Sequence, residues 1–374
     1  MSEIMKENPE SSHHNPEDPM SRRQFLEEAS IASAAAVLLK QKASASEGHL
    51  PRTDGHGKEE HMSHNVAELV SPYMEKDGKI LSAIQEAGGW QKFVEKNAET
   101  VKEKSFYKPG LEKAVACMDE GDDMTEISNK ELHLVRSAGS GILDMDLADL
   151  LENNPLSPAH IDKMADAFLQ EGVTVIQCHG GCGAGGLALE KLLEKKLGRP
   201  LTPEEKKQQV TPEAVDELVN RYSDAIVAAM QKKLANAGKP AEYVNNVRKH
   251  FKPINELSRP AEAHMAQVIY YDGTNSFKTS SGVLPAGFLV SAKSLSPTAG
   301  KRTVDLAKAI SFGGHGPGEL LNGERPLHIV VIGDPSDPAF GEQELLKRAK
   351  EWYASLPEDQ RKRVVIESFT APLN

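Results

Sequence analysis

Cysteine is scarce in this chain, with three among 374 residues. Three thiols cannot all pair, so a scaffold stapled throughout by disulfides is excluded. An excess of positive charge is missing too. The 44 Lys and Arg stand against 55 Asp and Glu, for a formal net charge of −11, which speaks against a nucleic-acid partner because phosphate binding wants clustered basic residues. No stretch after the leader is long and apolar enough to span a bilayer, which takes about twenty residues, so no stable membrane insertion is expected once the leader is removed. No period of internal repetition is visible. A glycine-rich run, Gly313-Gly-His-Gly-Pro-Gly318, lacks the spacing of a phosphate-binding loop and reads as an ordinary loop around His315. With 39% apolar residues, the chain can bury one large core or two modest ones.

The residues that carry chemistry are concentrated in two short runs, Ala116-Cys-Met-Asp119 and Cys178-His-Gly-Gly-Cys-Gly183. Taken singly, a cysteine in an apolar strand is a small buried hydrophobe. Jointly, Cys117, His179 and Cys182 supply two thiolates and an imidazole, a donor set suited to Zn²⁺. His179 and Cys182 stand three apart in a glycine-rich turn that can aim both at one point, and Cys117 ends an apolar strand. Structural zinc sites usually close with four protein ligands, whereas three leave a position for water. Cys178 precedes His179 directly, so the pleat turns it to the opposite face and it reads as a core thiol.

Three segments, in order, resemble the signature of the β-class carbonic anhydrases: Val115-Ala-Cys-Met-Asp119, Leu134-Val-Arg-Ser-Ala-Gly139 and Val175-Ile-Gln-Cys-His-Gly-Gly-Cys-Gly-Ala184. Val268-Ile-Tyr-Tyr-Asp272 is a weaker echo of a later strand. The resemblance implies zinc held by Cys117, His179 and Cys182, with Asp119 accepting a hydrogen bond from the metal's water. It also implies an α/β fold with a mostly parallel central sheet flanked by helices, carbonate dehydratase activity on CO2 and bicarbonate, and a homodimer or higher homo-oligomer with its sites near the subunit interface. One departure matters. The family pairs its aspartate with an arginine two residues on, and this chain has Gly121 there. Two outcomes are open: Asp119 swings onto the zinc as a fourth ligand and closes the site, or another cation takes over, for which Arg136 is the candidate beside its plainer reading as a structural residue. Ser137, where the family commonly has asparagine, is a smaller change.

Two thiolates neutralise Zn²⁺, so its water is acidified less than beside three neutral imidazoles, and activity is expected under mildly alkaline conditions. His133 and Tyr270 are candidate proton shuttles, each also a plain strand residue. Two rivals remain. One is hydrolysis of carbonyl sulfide or carbon disulfide by the same chemistry; the other is a non-catalytic zinc-binding role, supported by Gly121 and by His49, His56, His61 and His64 in a polar stretch.

Ser21-Arg-Arg-Gln-Phe-Leu26, an apolar run from Ala29 to Leu39 and a small-residue site at Ala43-Ser-Ala45 resemble a twin-arginine export signal. The mature protein would then begin near Ser46 in the periplasm. That route carries folded proteins, so zinc would be loaded, and the thiolates protected, before export.

The expected organisation is a leader over 1–45, a His-rich flexible linker over 46–64, a zinc domain over 65–298 and a C-terminal α/β extension over 299–374. Helical patterning runs from Asn65 to Val101. Strands are expected at 114–117, 132–136, 173–178, 265–272, 286–291, 327–333 and 363–369, and helices at 158–170, 187–197, 203–209, 212–236, 241–250 and 342–356. Alternation of strand and helix points to a parallel sheet, whose ligands gather at the carboxyl ends of its strands.

Overall fold

The computed structural model describes residues 58–119, 126–127, 130–143, 154–256, 267–279, 281–293 and 326–373. The leader, Gly121 and the Gly313–Gly318 run with His315 lie outside them. Among the described residues three helices, α1 (Lys58–Glu86), α2 (Trp90–Lys96) and α3 (Ala98–Ser105), precede β1 (Glu112–Cys117), β2 (Glu126–Ile127) and β3 (Lys130–Ser137). After α4 (Pro158–Gln170) and β4 (Val173–His179) come α5 (Gly183–Leu197), α6 (Pro203–Gln209), α7 (Pro212–Asn236), α8 (Ala241–Asn246) and β5 (Arg248–Lys252). The chain continues through β6 (Val268–Asp272), β7 (Phe288–Ser291), β8 (Leu327–Gly333), α9 (Glu342–Ala354), α10 (Glu358–Arg361) and β9 (Val364–Thr370).

The helix starts follow local chemistry. Ser157, Thr202 and Thr211 cap α4, α6 and α7 with their hydroxyls, each followed by proline in the first turn, where its missing N–H costs nothing. The strands are apolar runs because parallel sheets are covered on both faces: all of β8, and all of β4 but Thr174, is buried.

The fold is α/β, with two sheets rather than one. The first has the order β2-β3-β1-β4-β5, four parallel strands with the short β2 antiparallel on β3. The second, β7-β6-β8-β9, is parallel throughout. A boundary at 298/299 therefore falls inside a sheet, since β6 and β7 are completed by β8 and β9. The sheets meet where β3 lies beside β7: Arg136 N donates to Ser291 Oγ at 3.0 Å, and Leu289 N donates to the Met118 carbonyl at 3.0 Å. One buried apolar cluster takes in Val115 and Ile176 of the first sheet with Ile269 and Ile329 of the second.

Three sequence expectations are corrected. Residues 248–250, expected at the end of a helix, belong to β5, and α8 stops at Asn246. An edge strand bearing Arg248, Lys249 and Lys252 is half-exposed and shows no apolar run. Helix α5 begins at Gly183, four residues before the expected start at Leu187. Its glycines are poor helix formers, yet a Cβ on Gly185 would stand 2.4 Å from Val219 Cγ2, so close packing on α7 decides there. Finally, α1 begins at Lys58, which places the last part of the expected linker, His61 and His64 included, in a helix.

His160 on α4 is buried against Tyr222 of α7, with ring centroids 6.1 Å apart. Burial, helped by Lys163, lowers its pKa to about 4. The unfolded imidazole accepts a proton below about 6.5, which the folded one refuses until about 4, so stability is complete above that range and falls with pH by about 2 kcal/mol at pH 5. Denaturant unfolding at pH 7.5 and pH 5 checks this. His160→Gln should lose less between the two than the parent chain, and equal losses would refute the assignment.

Candidate metal centre

The chain passes from β1 to β3 on one side, then crosses to β4 on the other, so the crevice between the carboxyl ends of β1 and β4 is the topological switch point, where parallel sheets bind ligands. Cys117 is the last residue of β1, His179 the last of β4, and Cys182 sits at the N-cap of α5. All three are buried, and their donor atoms lie within 4.8 Å of one another. The two sulfurs are 3.9 Å apart. A tetrahedral ion with bonds to sulfur of about 2.3 Å would set them about 3.8 Å apart, so the trio fits a metal ion such as zinc.

The imidazole is already oriented. His179 Nδ1 lies 3.0 Å from the Gly180 carbonyl; because a carbonyl only accepts, Nδ1 carries the proton and Nε2 is left as the ligand atom. The turn is held from two sides: Gly180 N donates to the Lys252 carbonyl of β5 at 2.9 Å, and Gly181 N donates to Asp216 Oδ1 of α7 at 2.7 Å. Asp216 was not expected from sequence, where it is one acidic residue among several on a helix with no motif around it. Removing it as Asp216→Ala frees the ligand turn, and metal affinity is expected to fall about 10–100-fold. Chelator competition measures this, and an unchanged affinity would dismiss Asp216 as a support.

Cys117 is braced by the second of the three segments, Leu134–Gly139, whose Gly139 N donates to its Sγ at 3.4 Å. Its hydrogen bond with Cys182, then burial, push the Cys117 thiol well above its ordinary pKa. A metal must displace that proton, so uptake is favoured as pH rises.

Arg136 is buried, and its Nη1 donates to the carbonyls of Cys117 at 2.8 Å and Asp119 at 3.3 Å. The guanidinium thus grips the main chain on both sides of Met118. Asp119 stands beside the trio rather than in it, partly buried, with Oδ2 3.9 Å from His179 Nε2. Cys178 faces away, its sulfur 3.8 Å from the His250 carbonyl, as expected of a core thiol. The two shuttle candidates are engaged in packing: His133 bonds the Asn275 carbonyl and stacks on Tyr107, and Tyr270 is buried with its hydroxyl donating to the Pro285 carbonyl at 2.6 Å.

These features define an α/β protein with a buried Cys-His-Cys group able to hold a metal ion. No family model, curated protein or solved structure matches the chain. Among the described residues no helix is long and apolar enough to cross a membrane.

Proposed function

We propose that this chain is a zinc-dependent carbonate dehydratase of the β-class carbonic anhydrase type, interconverting CO2 and bicarbonate. The observation that carries the reading is the convergence of Cys117, His179 and Cys182 at the switch point with Asp119 at their side. Zinc, when bound, supplies Lewis acidity and an activated water at near-neutral pH. Asp119 accepts a hydrogen bond from the attacking oxygen and so aims its lone pair at the carbon of CO2. Arg136 keeps that carboxylate in place through the backbone, which offsets the loss of an arginine at position 121. Met118, Ala138, Ile142 and Ala184 belong to the same buried apolar cluster as the two ligand cysteines, and apolar surroundings suit a small, uncharged substrate. Export to the periplasm by the twin-arginine route belongs to the same reading and rests on Arg22, Arg23 and the apolar run after them.

Stopped-flow CO2 hydration by the zinc-loaded mature chain, residues 46–374, across pH 6 to 9 tests the proposal. Turnover should rise toward alkaline pH, and Asp119→Ala should lower it about 10–100-fold while zinc stays bound. No turnover at any pH with one zinc per chain would sink it; faster turnover of carbonyl sulfide than of CO2 would move the substrate to the sulfur analogue.

A further inference from the structure

The two sheets are built alike. In chain order the parallel strands of the first are β1, β3, β4 and β5, laid out as β3-β1-β4-β5; those of the second are β6, β7, β8 and β9, laid out as β7-β6-β8-β9. Each is second, first, third, fourth. Such an order alone recurs among α/β proteins, but here the registers agree as well. Cys117 pairs with Ser137 as Asp272 pairs with Ser291, each pair closing its strands. Ala114 pairs with Val175 as Ile269 pairs with Ile329, and Val115 with Ile176 as Tyr270 with Val330. At the far side, His179 pairs with Lys252 as Gly333 pairs with Thr370.

Carried through this register, the metal ligands Cys117, His179 and Cys182 correspond to Asp272, Gly333 and Ser336. None of these keeps its donor. Asp272 turns back on its own loop, accepting from Thr274 N at 2.8 Å, Thr274 Oγ1 at 2.7 Å and Phe277 N at 3.1 Å. A side chain at Gly333 would meet Glu342 N at 2.4 Å, because the start of α9 fills that place. Ser336 donates its hydroxyl to Asp334 at 2.7 Å. The second switch point is closed by the loops that should have framed a ligand.

The lobes also face each other through equivalent strands, since β3 and β7 are each the second strand of their lobe. A two-fold related pair likewise brings the same element of both partners together. We infer that residues 267–373 are an internal counterpart of residues 111–252 that has lost its metal ligands and serves as a built-in partner, so that one chain with one metal is the complete working unit. The second lobe braces the site directly: Leu289 N holds the carbonyl of Met118, between Cys117 and Asp119, and Ser291 Oγ holds the backbone N–H of Arg136, whose guanidinium grips the carbonyls of Cys117 and Asp119. The second lobe thus lies against β3 in the place of a second copy, and it replaces the homodimer expected from the family resemblance. The inference rests on the Cys-His-Cys site and is independent of the reaction proposed for it.

Native mass spectrometry and sedimentation of the zinc-loaded full chain test it, with one chain and one zinc per particle expected. A dimer that persists on dilution to nanomolar concentration, or two tightly held zinc ions per chain, would overturn it. The brace has its own readout. Ser291→Ala should speed zinc loss to a chelator about three- to tenfold, and Ser291→Thr, which keeps the hydroxyl, should restore the parent rate; an unchanged rate in Ser291→Ala would refute the second lobe's part in the site. Neither measurement involves CO2, so failure of the catalytic reading would leave the outcome intact.

Discussion

Replacing Cys182 by serine is expected to leave the chain folded and nearly free of metal. The substitution exchanges one atom for a smaller one, and the residue sits at the N-cap of α5 with no side-chain hydrogen bond into the helix. Serine is among the best residues at that position, so the local fold gains a cap. The metal fares differently. Neutral hydroxyl is a poor substitute for thiolate, and one of three protein ligands is lost from a site whose total binding free energy, by comparison with zinc-finger sites, is about 10–16 kcal/mol. A share on the order of 4 kcal/mol corresponds to about a thousandfold in affinity. Zinc per chain after dialysis against a chelator, measured beside a thermal melt, reads both halves of the expectation. Cys178→Ser supplies the contrast, since that sulfur faces the His250 carbonyl and its replacement should keep the metal. Retention of zinc by Cys182→Ser at the parent level would dismiss the ligand set.

Gly139→Ala is expected to be the most damaging small substitution near the site. Gly139 has φ of 58°, in the left-handed region, where a Cβ costs about 1–2 kcal/mol. The space is closed as well: an added Cβ would stand 2.5 Å from Ile142 Cγ2, 2.9 Å from Ala184 Cβ and 3.4 Å from Cys182 Sγ. Overpacking of this kind costs about 1–3 kcal/mol, so the combined loss of about 2–5 kcal/mol takes a large part of a typical total of about 5–15 kcal/mol. The damage reaches the metal because the crowded Ala184 lies on α5 two residues from Cys182, and because a shift of the turn moves the Gly139 N–H that bonds Cys117 Sγ. Denaturant midpoints should fall, and chelator competition should show weaker zinc binding in the fraction that folds. A midpoint within experimental error of the parent would show that the turn relaxes freely.

Much of the first lobe was legible residue by residue. Apolar runs ending in Cys117 and Cys178 marked buried parallel strands, and the helices expected at 158–170, 203–209 and 212–236 are α4, α6 and α7 with the same bounds. The donor types and the spacing of His179 and Cys182 pointed to a metal before any contact was known. What escaped was every support that comes from far along the chain. Asp216 holds Gly181, and nothing in its neighbourhood distinguishes it from other Asp residues; Arg136 stood out only through the family resemblance, and its hold on the Cys117 carbonyl was not legible. The edge strand β5 escaped because its charged residues hide the alternation that marks a strand.

The sequence by itself determined the chemistry available to this protein: two thiols, an imidazole and a carboxylate, each at or just past the end of a strand or its turn, because residue type and local pattern are carried by neighbours in the chain. Tertiary structure alone decided that these groups meet, which side chains brace them, and that the lobe after Pro260 is built like the first. That likeness left almost no trace in residue identity beyond Ser137-Ala138 with Ser291-Ala292 and Phe251 with Phe369. The interior of a parallel strand asks only for apolar volume, so Ala114 and Ile269, or Val175 and Ile329, serve equally, and once the ligands were gone only strand order and register were left to record it.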